Sequence, residues 1–249
     1  MLQYERFETI LSMLHANSTV KVSELAEMLD VSESTIRRDI SDLADSGRLK
    51  KVFGGAVLST QDRTATLMDM KTKSVTHIEE KKIIARYAAS LIKDNEFVFI
   101  DAGSTTGAMI PYLTNKTVTY VTNGARHALQ LAAKGLPTYI ISGQMRETTE
   151  SIVGPVAVEG IQKYNFTKCF MGADAIDLDH GFTTSDIDEA LIKTEAIRKG
   201  NQIFILADHS KFDMVAPVFF AGLDAGQIVT DELPEKEYRK ITDVKEVKE

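Results

Sequence analysis

The chain has 249 residues, a formal net charge of −7, 43% hydrophobic residues and 26% charged residues. This composition is ordinary for a folded protein, and the net charge does not by itself favour a nucleic acid partner. The single cysteine, Cys169, excludes an intramolecular disulfide, and no apolar run reaches the length of a membrane span. The first residues also lack the apolar segment of a secretory signal. The sequence therefore predicts a cytoplasmic protein of one or two domains without a membrane partner.

Three short helices are predicted in the first fifty residues. The first has an apolar face made of Phe7, Ile10, Leu11 and Leu14, and it ends near residues 17–19. Ser23 is the expected N-cap of the second helix, residues 30–32 form a turn, and Ser32 caps the third helix. Gly47 is expected just after the third helix, whose buried face consists of Ile36, Ile40 and Leu43. This arrangement is the layout of a helix-turn-helix.

Polar and basic side chains surround the start of the third helix, the end that enters the major groove in a helix-turn-helix. Farther along, the glycine pair Gly54-Gly55 predicts a hairpin between strands at 48–53 and 56–58, and a basic hairpin at this place is a wing. Arginine donates two hydrogen bonds to guanine or contacts phosphate. Periodicity alone equally allows a small helical bundle whose arginines face water. The side chains predicted to contact DNA are Ser34, Thr35, Arg37, Arg38, Arg48, Lys50 and Lys51.

Residues 31–40, with Thr35-Ile36-Arg37-Arg38-Asp39 at their centre, decide between these alternatives. Together with Gly54-Gly55-Ala56 at the end of the predicted wing, they closely resemble the DeoR family of bacterial transcriptional repressors. The resemblance implies a winged helix-turn-helix that binds double-stranded operator DNA. It also implies that Arg37 and Arg38 are the main DNA contacts, and that Asp39 orients them.

A second domain is predicted at residues 76–249, separated from the DNA-binding domain at 1–58 by a polar linker at 59–75. Apolar strand patterns alternate there with helical ones, which favours a mainly parallel sheet covered by helices. The predicted strands are Phe97–Ile100, Val118–Val121, Thr138–Ile141, Cys169–Met171, Ile203–Leu206, Val218–Phe220 and Gln227–Val229. The predicted helices include Thr106–Leu113, Arg126–Lys134, Val153–Lys163, Asp188–Lys199 and Pro234–Lys240. Residues 243–249 are expected to form a frayed, charged terminus.

Small polar loops follow four of the predicted strands. They begin at Asp101, Thr122, Gly172 and Asp208, and because the carboxyl ends of parallel strands share one edge of a sheet, we expect them to converge on a ligand there. A glycine-containing loop with hydroxyls before a helix can hold an anion such as phosphate. For residues 103–106, helix capping explains the same pattern about as well.

These loops also resemble the C-terminal domain of the DeoR family, which is itself similar to ribose-5-phosphate isomerase. The fold class implied is an N-terminal winged helix-turn-helix plus a C-terminal α/β sensor domain that resembles this isomerase. By the same resemblance, residues 104–106 hold the phosphate of a sugar, with Lys193 or Lys211 as counter-charge, and Asp101 and Asp174 bind sugar hydroxyls. The predicted effector site comprises Asp101, Gly103, Ser104, Thr105, Thr106, Thr122, Asn123, Asp174, Lys193 and Lys211.

Two positions argue against catalysis. The isomerase pattern has an acid directly after Gly-Ala-Asp and a glutamate before the lysine, whereas this chain has Ala175 and Ile192. Isomerisation needs a carboxylate base, so we expect binding without turnover, although Asp188 or Glu189 could substitute for the missing acids. The histidines lack neighbours with metal-ligand spacing, so neither a metal nor a cofactor is expected.

The sequence thus predicts a homo-oligomeric repressor of a sugar-utilisation operon. A phosphorylated sugar would release it from its operator, and fructose 1-phosphate is the first candidate. A sugar-phosphate isomerase whose N-terminal domain only oligomerises is the alternative.

Overall fold

The computed structural model describes residues 3–17, 19–45, 48–57, 70–234 and 236–248. The chain divides into two compact units, Met1–Thr64 and Ala65–Glu249. Within the described residues, no helix has the length and apolar character that a bilayer-spanning segment requires. The expected helix end at Gly47, the end of the wing at residue 58 and most of the predicted linker, residues 59–69, lie outside the described ranges.

The first unit combines three helices with a small antiparallel sheet. Its elements are α1 (Gln3–Asn17), β1 (Thr19–Lys21), α2 (Val22–Leu29), α3 (Glu33–Asp45), β2 (Lys50–Val52) and β3 (Gly55–Val57). The strand order is β1-β3-β2. The helices bury the predicted apolar faces in one core, which includes Ile10, Leu14, Leu25, Ile36, Ile40 and Leu43. The winged helix-turn-helix is therefore confirmed.

The two helix starts differ in how they are capped. Helix α2 begins at Val22 after an extended Lys21, so the prediction of Ser23 as its N-cap is wrong. Ser32 does cap α3, since the Thr35 amide donates to Ser32 Oγ at 3.2 Å. Between the two helices, Asp30 has φ 50° and a left-handed conformation, which turns the chain toward α3.

The wing turn lies one residue earlier than predicted. Val52 pairs with Gly55, so Phe53 and Gly54 form a two-residue turn and Gly55 belongs to β3. Gly54 has φ 81°, a conformation that glycine adopts without strain. A side chain at Gly55 would place its Cβ 2.0 Å from the carbonyl oxygen of Val20 in β1, so close packing of the strands requires glycine there.

The second unit is a parallel sheet with helices on both faces. Its helices are α4 (Met70–Val75), α5 (Ile78–Ser90), α6 (Ser104–Gly107), α7 (Ala125–Ala133), α8 (Pro155–Gln162) and α9 (Ile187–Lys199). Its strands are β4 (Phe97–Ile100), β5 (Thr119–Thr122), β6 (Thr138–Ile140), β7 (Gln144–Arg146), β8 (Ser151–Val153), β9 (Phe166–Gly172), β10 (Ala175–Asp177), β11 (Gly181–Thr184), β12 (Gly200–Leu206), β13 (Val218–Ala221), β14 (Gln227–Thr230) and β15 (Val244–Glu246).

The chain adds strands to the main sheet first on one side of β4 and then on the other. Its order is β15-β14-β12-β9-β4-β5-β6, and every neighbouring pair is parallel. The chain first builds outward from β4 to β6, and then returns to β9 on the other side of β4. In open α/β sheets such a switch point leaves a crevice at the carboxyl ends of the strands, where ligands bind. Asp101 and Gly172 lie at this point.

Alternate residues of the strands pack against opposite layers of helices. Phe99, Cys169 and Ile205 face one core with α8 and α9. Val98, Phe170 and Leu206 face the other core, with α5 and α7. A strand buried on both faces reads as a continuous apolar run, which is why β4, β9 and β12 could be recognised in the sequence.

Several predicted elements of this unit are corrected. The helix at Thr106–Leu113 is instead the single turn α6 followed by a 3₁₀ turn at Ile110–Tyr112. The helix predicted at Val153–Lys163 begins only at Pro155, because Val153 ends β8. The predicted helix at Pro234–Lys240 is a 3₁₀ turn at Lys236–Lys240. The strand predicted at Val218–Phe220 belongs to a separate antiparallel sheet, β10-β11-β13.

The two ends of the second unit are more ordered than expected. The last residues of the predicted linker form α4, whose Met70 amide donates to the Thr148 carbonyl at 3.0 Å in the turn between β7 and β8. The expected frayed terminus contains β15, which pairs with β14 and extends the main sheet. The Val247 amide adds a bond of 2.8 Å to the Thr230 carbonyl.

Candidate functional site

The first half of α3 presents polar side chains to solvent. Ser34, Arg37 and Arg38 are exposed and Thr35 is half-buried. Arg37 donates to Glu33 one turn earlier at 2.9 Å, in a pair whose two side chains are more than half exposed. Such surface pairs contribute little stability, so the arginine can exchange glutamate for phosphate or guanine. The side chain of Arg38 forms no hydrogen bond or ion pair within the described ranges.

Asp39 does not orient these arginines, which corrects the role that the resemblance implied. It is buried, and its carboxylate accepts two hydrogen bonds from Arg6 of α1, at 2.6 Å and 3.0 Å. This bidentate pair holds α1 against α3 and raises the pKa of Arg6, chiefly through the hydrogen bond to Asp39. Asp39 therefore supports the recognition helix from behind.

Basic side chains continue from α3 onto the wing. Arg48, Lys50 and Lys51 are exposed. Lys51 Nζ donates to Ser41 Oγ of α3 at 2.9 Å, so β2 and α3 are tied side by side. Together with Arg37 and Arg38, these residues give the unit a cationic face despite the negative net charge of the chain.

In the second unit, loops from three strands meet at the switch point of the sheet. The Ala102 amide after β4 donates to Asn123 Oδ1 after β5 at 2.9 Å. The Gly172 amide at the end of β9 donates to Asp101 Oδ2 at 3.1 Å. The structure thus brings together three of the four loops that were expected at this edge.

Several residues predicted to touch the effector hold these loops instead. Thr106 is buried, and its hydroxyl lies 2.6 Å and 2.8 Å from the carbonyls of Asp101 and Gly103. Thr122 Oγ1 accepts the Gly124 amide at 3.0 Å, and Thr105 and Asn123 are also buried. Gly103 and Ser104 are half-buried, and Ser104 Oγ has no hydrogen-bond partner among the described residues.

Lys193 supports the site from beneath. It is buried on α9, forms an ion pair with Asp101 and donates to the Gly172 carbonyl at 2.8 Å. Burial lowers the pKa of Lys193, but Asp101 and Glu189 outweigh this effect and raise it. Because Asp101 already accepts hydrogen bonds from Lys193 and Gly172, the pair fixes the crossing between β4, β9 and α9. These contacts occupy the Lys193 ammonium in the structure, and its part as a phosphate counter-charge stays a prediction.

Two lysines that the sequence analysis missed lie at the same edge. Lys73 of α4 forms an ion pair of 2.6 Å with Asp174. Lys81 of α5 is buried, and its ammonium donates to the carbonyls of Lys73 and Thr76, the latter at 2.9 Å. A signal for Lys81 was present, since it shares the buried face of α5 with Ile84, Ala85 and Ala88. A lysine on an apolar helix face needs a specific partner.

The positive charges of three lysines act on one another at this edge. The pKa of Lys81 is lowered to about 8, chiefly by burial and also by the neighbouring charges of Lys211 and Lys73, while Asp208 opposes the shift. Lys211 is half-buried, and its ammonium has no hydrogen-bond or ion-pair partner in the described ranges. We call Lys73, Lys81 and Lys211, with Ser104, the cationic rim. Its charges repel each other and would be stabilised by an anion.

Asp174 and Asp208 border the cationic rim. Asp174 accepts hydrogen bonds from Lys73 and from the Ser185 amide at 3.0 Å. Burial raises its pKa, but Lys73 and Lys193 hold it well below the ordinary value. Asp208 is buried and accepts the Ser210 amide on Oδ1 at 3.1 Å, whereas its Oδ2 has no partner in the described part of the chain. That oxygen is a buried hydrogen-bond acceptor whose capacity is unused by the described residues.

The positions that catalysis would need are apolar or occupied. Ala175 and Ile192 are buried in the core. Asp188 accepts a hydrogen bond of 2.8 Å from Arg146, and Glu189 is 3.4 Å from Ser151 Oγ. Among the residues described, no group of three or more His, Cys, Asp or Glu is arranged to hold a metal ion.

An open depression of about 660 Å³ lies at the opposite edge of the main sheet. Its lining includes Gly200 and Gln227, which begin β12 and β14, and Lys168, which forms an ion pair with Glu96. None of the predicted site residues lines it. The carboxyl edge, with its converging loops and unpaired charges, is the better candidate site.

Comparison with known proteins finds a matching domain family for each of the two units. Residues 6–62 match the DeoR-like helix-turn-helix domain, and residues 76–232 match the DeoR C terminal sensor domain. The chain belongs to the DeoR family of transcriptional regulators. The exposed arginines of α3 therefore lie in a DNA-binding domain, and the cationic rim lies in the sensor domain of a DeoR-family regulator.

The relatives that match this DeoR-family regulator over most of their length are themselves transcriptional regulators. It is 37% identical over 252 residues to an uncharacterized HTH-type transcriptional regulator, FruR, of Bacillus subtilis, covering 100% of both chains. It is 35% identical to IolR of the same organism, covering 94% of this chain and 93% of IolR. A lactose phosphotransferase system repressor of Staphylococcus aureus is 32% identical, with 85% and 84% covered. A ribose 5-phosphate isomerase A of Methanocaldococcus jannaschii has 18% identity and a TM-score of 0.40 over 53% of each chain.

Proposed function

We propose that this regulator represses a sugar-utilisation operon and is released from its double-stranded operator by a phosphorylated sugar. The observation that carries the effector half is the cationic rim, where three lysines lie near one another at the carboxyl edge of the sheet. The names of the Staphylococcus aureus relatives, lactose phosphotransferase system repressors, support a link to sugar uptake.

The chemistry of the cationic rim matches a sugar phosphate better than a free sugar. A phosphate dianion offers oxygens to the ammonium groups of Lys81 and Lys211 and to the hydroxyl of Ser104. The unpartnered Oδ2 of Asp208 and the carboxylate of Asp174 accept hydrogen bonds from sugar hydroxyls. Fructose 1-phosphate is the first compound to test.

The DNA side of the proposal requires two copies of the chain. A helix-turn-helix reads half-sites one helical turn apart when a symmetric dimer presents two recognition helices. We infer that the regulator binds its operator as a homo-oligomer, with Arg37 and Arg38 of each copy in successive major grooves.

Signal transmission is proposed to pass through α4. This helix is the described element of the sensor unit that comes first after the DNA-binding unit in the sequence. Two contacts tie it to the effector site, namely the ion pair between Lys73 and Asp174 and the hydrogen bond from Lys81 to the Lys73 carbonyl. A third, from the Met70 amide to the Thr148 carbonyl, holds it to the turn between β7 and β8. A ligand that competes for Lys73 or Asp174 changes these tethers, and linkage then requires that ligand and operator affect each other's affinity equally.

A Lys73→Met variant tests this route. We expect operator affinity without ligand to stay within about threefold, because α4 lies outside the DNA-binding unit. The weakening of operator binding by the effector, typically about 5- to 150-fold in coupled systems, should fall to near onefold. Titrations with labelled operator, with and without sugar phosphate, measure this factor. Lys82→Met is the matched control, since Lys82 is exposed and its ion pair is with Glu79 on the same helix. Equal loss of coupling in both variants would contradict the route.

A thermal-shift screen against sugar phosphates, with the free sugars as controls, tests the effector half. A ligand present at about 100 times its Kd stabilises the folded state by about 2.7 kcal/mol. The expected result is a rise in melting temperature that requires the phosphate, and release of bound DNA by the same compound. No shift with any sugar phosphate, from protein that still binds DNA, would rule out the effector. Turnover of a sugar phosphate in a coupled assay would instead favour an isomerase.

A further inference from the structure

The tip of the wing carries a fully exposed aromatic side chain. Phe53, in the turn between β2 and β3, is as accessible as in an extended chain, with a relative exposure of 109%. Val52 beside it is also exposed. Phe53 is the most exposed of the large apolar side chains in the described residues, so its whole ring is open to a partner.

The turn that presents Phe53 is fixed in place. It has only two residues, and the carbonyl of Gly54 accepts the Val22 amide at 2.9 Å, which anchors the tip to the start of α2. Strand β3 is also paired with β1, with Val20 opposite Ala56, and the absence of a side chain at Gly55 permits this close packing. Phe53 is therefore held outward by a rigid hairpin.

The surroundings of Phe53 select the class of partner. Three exposed cations, Arg48, Lys50 and Lys51, lie on the same hairpin, and Lys51 is tied to α3 through Ser41. A basic strand that ends in an apolar tip is complementary to duplex DNA, which offers phosphates at the groove edges and deoxyribose and base edges between them. Proteins that bind the minor groove use the same combination of basic and apolar side chains, and the apolar ones pack on the sugars or wedge into a base step.

We propose that Phe53 is a direct DNA contact that enters the minor groove next to the major groove occupied by α3. The inference rests on the proposed DNA binding and adds a contact to it. Lys50 and Lys51 hold the flanking phosphates, and the phenyl ring packs against the sugar walls of the minor groove. This contact adds affinity without neutralising a phosphate.

The absence of tryptophan from the sequence gives a direct readout. In a Phe53→Trp variant the indole is the only one in the chain, and it reports on the wing tip. We expect its emission to change when an AT-rich 30-base-pair duplex is added at low salt, and its quenching by acrylamide to fall at least about threefold as the ring leaves water. Netropsin, which fills the minor groove of an AT-rich duplex, should reverse both changes.

A matched control and an affinity measurement complete the test. Phe219→Trp places the same fluorophore at another exposed phenylalanine, on β13 of the sensor unit, and its emission should not respond to the duplex. Phe53→Ala should weaken duplex binding about tenfold with the salt dependence unchanged, whereas Lys50→Ala should reduce the salt slope by about one.

The outcomes separate this inference from the proposed function. If the wild-type chain binds the duplex while Phe53→Trp gives no spectral change and Phe53→Ala binds as tightly as wild type, the Phe53 contact is wrong and DNA binding stands. A response that netropsin does not reverse would place the ring outside the minor groove and also overturn the proposal. If the wild-type chain binds neither this duplex nor any selected from a random-sequence pool, both proposals fail.

Discussion

Replacing Lys81 with glutamine is expected to weaken sugar phosphate binding about 10- to 150-fold. Hydrogen bonds to charged groups contribute about 1.5–3 kcal/mol each, and every 1.4 kcal/mol is a factor of ten in affinity. Lys81 is buried at the cationic rim, and only two of its three N–H groups are used by backbone carbonyls. Isothermal titration with the effector identified by the thermal-shift screen measures the loss.

The control for Lys81 is its neighbour on α5. Lys82→Gln removes the same charge from an exposed position and should change the affinity less than threefold. The melting temperature of ligand-free Lys81→Gln must also be measured, because Lys81 holds α4 through the Lys73 carbonyl. Equal effector affinity in wild type and Lys81→Gln would show that the phosphate does not bind at the cationic rim.

The same lysine should make effector binding depend on pH. Because burial lowers the pKa of Lys81 to about 8, the free protein loses this charge as the pH rises through 8. A bound phosphate favours the charged form and raises the pKa, so affinity is full below pH 8 and declines above it. Wild type should therefore show an alkaline decline in affinity that Lys81→Gln lacks. A wild-type affinity that is constant from pH 7 to 9.5 would contradict a role for this ammonium.

Replacing Lys193 with methionine is expected to destabilise the sensor unit by about 3–5 kcal/mol, the cost of removing one partner from a buried ion pair. The Asp101 carboxylate would remain buried at the switch point, where it would still accept a hydrogen bond from the Gly172 amide but would have lost its ion pair. Urea unfolding followed by circular dichroism measures the free energy of unfolding. A loss below about 1 kcal/mol would mean that water reaches Asp101.

The double variant Asp101→Asn/Lys193→Met separates the buried charge from the packing. Asparagine is neutral, and its carbonyl oxygen can still accept the Gly172 amide, so the double variant should recover about 2 kcal/mol of the loss. If the double variant is instead as unstable as the sum of the two single variants, Lys193 acts through its packing and through its bond to the Gly172 carbonyl.

The sequence predicted the parts of the fold that depend on local patterns. Strands β4, β9 and β12 are buried on both faces, so their apolar runs were visible without knowledge of the neighbours. The apolar faces of α1 and α3 followed from helical periodicity, and the cap at Ser32 followed from its position before α3. The family and the winged helix-turn-helix could be predicted because the motif residues lie close together in the sequence, and the family match at residues 6–62 confirms both.

Features that depend on distant partners could not be predicted. Asp39 follows the two arginines, but its partner Arg6 lies 33 residues earlier, and nothing in the motif indicates that pair. Lys73 was assigned to a linker because α4 is short and polar, while its partner Asp174 is 101 residues away. Strand β15 is short and charged, and it is a strand because β14 offers it an unpaired edge.

The pairing of β15 determines which edge of the main sheet is protected. Cleavage before Asp243 would leave the edge of β14 that faces away from β12 without partners, and an unpaired strand edge recruits other chains. A purification tag joined directly after the last residues would pull on the same strand. We therefore expect preparations trimmed in this segment to self-associate, and a flexible spacer of several residues to be needed before any fusion at this end.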